Sequence, residues 1–382
     1  MIMTTTTLYN LDVGDPRRLI GDGPSQVGPF RLDLSDDYIN AVNQLYKPAQ
    51  LNVTISGPTD KLTRNVTRIE ENEGVWQVTA TATADDDNLT TSVLSRFPSQ
   101  DGGIRDLCEI LTFLTGRRVA STQALEFFIP NAKSAAACLP EETFAAASIA
   151  WSYRERFSSH GLVNALLLEN AAIDHRMMQI RAYLHNAALN ILVDKWPSDE
   201  IAAVPAPAGT RIPSKIRKEL ADLIEATVVA FPSLPKETKD AYIPLLRAKV
   251  LQGTSSLNDA VLRLLQYDLG ILPTSIDERV SQRVKFMNRV RNSMTHSGQM
   301  PDFKGLEQDV ADRYTAVIVA GVVPAINQLA IGKLFGFSTE TVASLSQQPD
   351  DLIRFFLDGN WRGQPLELMS FEEWINSPEL LI

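Results

Sequence analysis

The chain has 382 residues, is 44% hydrophobic and 21% charged, and carries a formal net charge of −10 at pH 7. That length accommodates two domains, and the acidic balance excludes a general nucleic-acid coat, which needs many phosphate contacts from Lys and Arg. No stretch approaches the roughly 20 uninterrupted apolar residues of a membrane span, and Cys108 and Cys138 supply neither a disulfide framework nor a Cys-rich zinc site. The opening MIMTTTTLYN lacks the basic and apolar regions of a secretory signal, so a cytoplasmic protein is expected.

Residues 1–130 read as a β-rich recognition or sensor domain. Leu51-Asn-Val-Thr-Ile55 alternates with period two, Val75-Trp-Gln-Val78 does so in part and Thr79-Ala-Thr-Ala-Thr83 weakly. Gly57-Pro58, Glu73-Gly74 and Asp85-Asp-Asp87 punctuate them as turns. The pattern predicts a half-buried antiparallel sheet, folded as a sandwich or partial barrel. No histidine precedes His160, so no catalytic constellation is expected here. Over 101–115 the period changes to that of a helix, with Ile104, Leu107, Leu111 and Leu114 on one stripe and Gly116 as its stop. Residues 125–129 are expected to rejoin the sheet.

Residues 131–140, rich in Ala and Ser and bounded by Pro130 and Pro140, read as a linker, and 141–332 as a helical domain. Leu162, Leu166, Ile173, Met177, Ile180, Leu184 and Ile191 predict one long helix ending near Trp196. His175 and His185 lie on it without carboxylates at matching spacing, so no metal site and no cofactor are expected. Glu169 or Asp174 is a candidate polar group lining a cleft. After a Pro-rich loop over 197–213, helices are predicted at 214–231, 236–251 and 256–269, and another at 303–329 whose run 317–325 is almost wholly apolar. Residues 333–382 form a small C-terminal extension carrying Trp361 and Trp374.

The stretch between Ser275 and Gly298 concentrates charge of one sign. Ile276, Val280, Val284 and Met287 make a helical apolar stripe with Arg279, Arg283 and Lys285 outside it, and Asp277 and Glu278 fall in the first turn, as the helix dipole favours. From 276 to 296, Arg279, Arg283, Lys285, Arg289 and Arg291 face only those two acids, a basic patch on an acidic body and a candidate RNA-binding surface. The helix ends in Arg291-Asn292-Ser293-Met294-Thr295-His296, with Gly298 and Pro301 as its stop. On an ideal helix Asn292 and Arg289 share a face with His296, whereas Arg291 is about 140° away. Arg291 meets His296 only if the last turn opens or a second protomer completes the site.

An arginine followed by a polar residue and, after four intervening residues, a histidine resembles the signature of HEPN-domain ribonucleases. Two other pairs fit the looser spacing, Arg154 with His160 and Arg289 with His296, while Arg181 with His185 is too close. Arg291 is preferred because Asn292 follows it and several helices precede it. The segment Leu111-Thr-Phe-Leu-Thr-Gly-Arg-Arg-Val119 is similar to one between the sheet and HEPN domains of ApeA-like anti-phage defence proteins. Its plainer reading is a helix packed on the sheet.

The resemblance implies an α+β protein, an N-terminal β-rich domain followed by a C-terminal all-α HEPN-like bundle. It implies a homodimer through the helical domain and metal-independent cleavage of RNA by 2′-hydroxyl attack, in abortive infection defence with a phage-derived trigger at the β domain. His296 would transfer protons, Arg291 hold the phosphate and Asn292 orient it. Some HEPN toxins carry a tyrosine two residues after the histidine; Gly298 stands there, so their regulation is not carried over. The rival expectation is a non-catalytic HEPN-like scaffold or a module that binds a nucleotide or partner.

Overall fold

The computed structural model describes residues 3–18, 25–45, 51–56, 63–68, 76–85, 92–94, 102–128, 140–175, 177–202, 214–232, 234–252, 257–273, 275–276, 278–297, 318–337, 360–361 and 364–365. The protein is mixed α+β, with strands in the N-terminal part and helices through the rest. Two compact units divide it: Met1–Trp196 together with Arg289–Ile382, and Pro197–Asn288. The linker expected at 131–140 lies, except for Pro140, outside the described residues.

The first unit is built on a sheet of β1 (Met3–Tyr9), β2 (Ser25–Val27), β3 (Phe30–Leu34), β6 (Val78–Asp85) and β7 (Ala120–Ser121). The strands are antiparallel and run in the order β2-β3-β6-β1-β7. Where a sandwich or partial barrel was expected, these five strands form one open sheet with helices against it, α1 (Tyr38–Leu45) on β6 and α3 (Thr143–Tyr153) on β2. The weak Thr79 to Thr83 alternation has a cause. Ala80, Ala82 and Ala84 make the buried face of β6, and their small side chains give weak hydrophobic contrast. Strands β4 (Leu51–Ser56) and β5 (Thr63–Arg68) pair only with each other as an antiparallel hairpin.

Helix α2 (Gly102–Thr115) occupies the middle of this unit, and every residue in it except Arg105 is buried. The stripe read from the sequence is present, but Asp106 and Glu109 are inside with it. Gly116 ends the helix with φ at +62°, the left-handed conformation glycine adopts without strain. The following residues form β7 at Ala120–Ser121, and Thr122–Phe127 is a 3-10 turn, so 125–127 do not return as a strand. Asp106 shows why the buried acids matter. It accepts hydrogen bonds from Ser92 Oγ at 2.5 Å, Val93 N at 2.8 Å and Leu94 N at 3.0 Å, pinning that turn to the helix. Burial pushes its carboxyl up in pKa, outweighing those bonds and the nearby Arg154.

The long helix expected over 162–196 is two helices, α5 (Val163–Asp174) and α6 (Met178–Lys195), after the short α4 (Glu155–Ser159). His175 and Met177 are extended, and α5 and α6 pack on each other as a hairpin. No glycine or proline marks the break, and the apolar stripe runs through it, so periodicity alone reads straight across. α12 (Val323–Leu334), entered from a π-helical turn at Ile318–Val322, packs on both.

In the second unit, the short α7 (Ser198–Ile201) precedes α8 (Ser214–Ala230) and α9 (Lys236–Gln252), which pair with each other, and α10 (Leu257–Arg263). The helix expected over 256–269 turns π-helical at Leu264–Asp268, where Asp268 accepts an ion pair from Arg263 at 3.1 Å. Helix α11 (Glu278–Ser297) crosses the boundary between the two units. Among the described residues no helix is long and apolar enough to cross a membrane.

One glycine is fixed by packing as well as by conformation. Gly28, in the β2-β3 turn, has φ at +55°, and a Cβ there would fall inside the Trp151 ring of α3. Trp151 also meets Phe30 edge to face at 5.1 Å, so this contact holds α3 on the sheet. Gly28→Ala is expected to cost about 2 kcal/mol or more in urea unfolding and to shift the tryptophan emission, because strain and overlap add.

Candidate functional site

Helix α11 carries the residues singled out from the sequence. Its apolar side is Val280, Val284, Met287, Val290 and Met294, all buried. The start expected at Ser275 falls three residues later, at Glu278, and the helix continues unbroken to Ser297. Since the last turn does not open, positions 291 and 296 point about 140° apart within one chain. A single copy therefore does not bring Arg291 and His296 onto one helix face.

Burial divides the cations. Arg291 is only 5% exposed and Arg283 4%, both on the apolar side, whereas Lys285, Arg289 and Asn292 face solvent. The side chains of Arg279 and His296 lie outside what the structure describes. By helical register, position 296 falls in line with 289 and 292. Arg291 reaches Asn292 Oδ1 with a long hydrogen bond, 3.4 Å from its terminal nitrogen. Burial lowers the pKa of its guanidinium to about 10, a cost of holding the charge on the order of 3 kcal/mol.

Of the two other matching pairs, Arg154 with His160 takes a structural role at its arginine. Arg154 stacks on Trp151 at 3.9 Å, donates to Trp151 O at 2.8 Å and lies 3.7 Å from Asp106.

A second polar centre lies inside the first unit, and of its members only Glu169 and Asp174 were singled out from the sequence. Arg118 is 2% exposed. It donates Nε and a terminal nitrogen to Asp174 at 3.0 and 2.7 Å, and its other terminal nitrogen to both Glu109 oxygens at 3.3 and 3.2 Å. Its carbon lies 4.3 Å above the Phe128 ring. Burial by itself disfavours this charge, yet Glu109 and Asp174 outweigh it and hold the pKa above the usual arginine value. Burial pushes the Asp174 carboxyl up despite its pairing with Arg118. Glu109 continues the network, accepting from Asn170 Nδ2 at 2.7 Å.

Next to Asn170, Glu169 begins a further set. Its Oε2 meets His185 Nδ1 at 2.9 Å and accepts from Asn327 Nδ2 at 2.8 Å, joining α5, α6 and α12. Asn327 Nδ2 also donates to the His185 carbonyl at 2.8 Å. His185 Nε2, the Oδ1 atoms of Asn170 and Asn327, and both amide atoms of Asn186 are buried without a hydrogen-bond partner. An orphaned buried polar atom costs about 1–3 kcal/mol, so five of them together rival the stability of a whole domain. The expected α6 stripe was misplaced accordingly: Met177 and Ile180 are exposed, while His185 and Asn186 face inward. Glu169 and Asp174, the two candidate polar groups, are in separate parts of this network. Among the described residues no cluster of three or more His, Cys, Asp or Glu side chains could hold a metal ion.

Two stability measurements follow. Arg118→Met leaves two buried carboxylates without their cation and is expected to cost about 3–5 kcal/mol in urea unfolding, most of it recovered when Glu109→Gln and Asp174→Asn are added. Arg291→Met has the opposite sign. A depressed folded pKa means the charge opposes folding at neutral pH, so the substitution is expected to leave stability unchanged or raise it by about 1–3 kcal/mol.

No protein-family model, curated protein or solved structure matches this chain.

Proposed function

We propose that the protein is a metal-independent endoribonuclease of the HEPN type, cleaving RNA through attack of a ribose 2′-hydroxyl at a site completed by two copies of α11. The observation that carries this reading is Arg291, a cation only 5% exposed on the inner side of α11 at the position the signature requires, with its guanidinium lowered in pKa by burial. A guanidinium shifted in pKa by burial is one of the marks of a functional site. In a dry setting it would stabilise the charge developing on a phosphate more strongly than a hydrated arginine could. Further support is the exposure of Arg289 and Asn292 in line with position 296, a polar stripe suited to a phosphodiester backbone. Lys285 extends it along the helix; Arg283, being buried, does not.

In this reading His296 transfers protons at the 2′-hydroxyl and leaving oxygen, Arg291 stabilises the phosphorane charge and Asn292 orients the phosphate. This reading requires a homodimer, since the partner would supply whichever group one chain turns away. Cytoplasmic anti-phage defence, with a phage-derived trigger recognised by the sheet, is the setting this activity fits. The burial of Arg291 also favours a second reading, in which α11 is a packing helix of a HEPN-like scaffold and the arginine acts in assembly alone.

RNA cleavage with and without EDTA separates the two. Metal-independent cleavage is expected for the parent protein, with a loss of about 100-fold or more in Arg291→Met and His296→Ala at retained folding. His160→Ala is expected to cleave as the parent does. Equal cleavage in all the variants, or none in any of them under conditions where the dimer forms, sinks the nuclease and leaves the scaffold.

A further inference from the structure

The least covered part of the second unit is the hairpin of α8 and α9. We propose that one side of it is a self-association surface, on which a second copy of this chain lays its own α8 and α9 in the opposite direction to complete a four-helix bundle. The two helices pack mainly on each other, and Ala221 is the one buried residue among their described side chains. Between Leu220 and Leu246, by contrast, seven large apolar side chains are 37–62% exposed. Helices draw most of their stability from burying an apolar face, so a pair this poor in core calls for a further layer.

The exposed residues fall on one side of the hairpin. In α8 the inner direction is marked by Ala221 and the half-buried Val228. In α9 it is marked by the half-buried Ile243 and by Lys239, which donates to Val229 O at 2.8 Å. On ideal helices Leu220, Leu223 and Phe231 lie roughly 100° from the first direction, and Tyr242 and Leu246 about 60° from the second, in the same rotational sense. Consecutive helices joined by a short connection are antiparallel, so equal sense means the same side. At roughly 200 Å² for a whole side chain, these residues expose about 500 Å² a copy. Two copies would then bury on the order of 1,000 Å² from them alone, the size at which a specific interface becomes stable.

Charge selects the occupant. In sequence, the open half of the hairpin (214–221 with 245–252) holds five cations and one acid, whereas the half around its turn (222–244) holds four acids and two cations. The hairpin is therefore positive at one end and negative at the other. A second copy laid antiparallel puts each end beside its opposite, and a parallel copy would set like against like. The surface is thus complementary to itself about a two-fold axis, as an isologous contact requires.

The test reads the oligomeric state of the full chain by light scattering and sedimentation over a range of concentrations, without RNA. A dimer is expected for the parent. Leu223→Glu with Tyr242→Glu, at two exposed positions, is expected to raise its dissociation constant about 100-fold or more with far-UV circular dichroism retained. Orientation is read by a charge cycle at low salt. Asp240→Lys near the turn and Lys218→Glu near the open end are each expected to weaken the dimer about fivefold, and the two together to restore it, since each contact then carries the same pair reversed. A parent that is monomeric at every concentration reached, a dimer that survives the Leu223 and Tyr242 changes, or a charge pair that does not restore association overturns the proposal. The second of these places the interface elsewhere, α11 included, and overturns the hairpin contact alone. A dimer lost in these variants, with RNA left uncut by the parent, overturns the nuclease alone.

Discussion

The first unit depends on one buried cation. Arg118 follows the end of α2, reaches back to Glu109 within that helix and across to Asp174 at the end of α5. Burying a charge is costly unless it is paired and its donors are satisfied, and here both conditions are met by two carboxylates and an aromatic face. The geometry follows from the left-handed turn at Gly116, which reverses the chain so that β7 can pair with β1 while Arg118 turns inward. Sheet, central helix and helical hairpin are thereby fixed to one another by a directional bond set as well as by apolar contact. Directional bonds specify one arrangement; apolar contact alone tolerates several.

A second set of polar groups shows the opposite economy. Arg291 is a buried cation whose pKa is lowered by burial, and the cluster around His185 holds buried polar atoms without a hydrogen-bond partner. Evolutionary accumulation of stability would replace such groups by apolar ones of the same size. Their presence on the inner faces of α11, α6 and α12 is what makes these helices, more than the sheet, the place to look for chemistry. The two sets also differ in kind. Arg291 is a single fixed charge on one helix, whereas the Glu169 and His185 centre is a set of hydrogen-bonding groups on three.

Much of the architecture was legible because period and turn chemistry act locally. The helix stop at Gly116, the bounds of α8 and α9 and the run of α11 all follow from neighbours in sequence. The break after Asp174 was not legible, since no breaker residue marks it and the apolar stripe continues through it. The inner face of α6 was missed for a related reason. Hydrophobic periodicity assumes that the inside is apolar, and here His185 and Asn186 are inside while Ile180 is out. Of the candidate site, the exposure of Arg289 and Asn292 agrees with a face turned away from the apolar stripe, but the burial of Arg283 and Arg291 does not follow from their charge.

The amino-acid sequence by itself determined the order of the parts, strands before helices, and the helix on which Arg291, Asn292 and His296 lie. Both are consequences of backbone preference and spacing, which reach only a few residues along the chain. Only the tertiary structure decided which charges are buried and what they meet. Arg118 and Asp174 are 56 positions apart, and Glu169 and Asn327 are 158 apart. Whether such groups pair depends on how separate helices pack, and that packing is set by the whole chain at once.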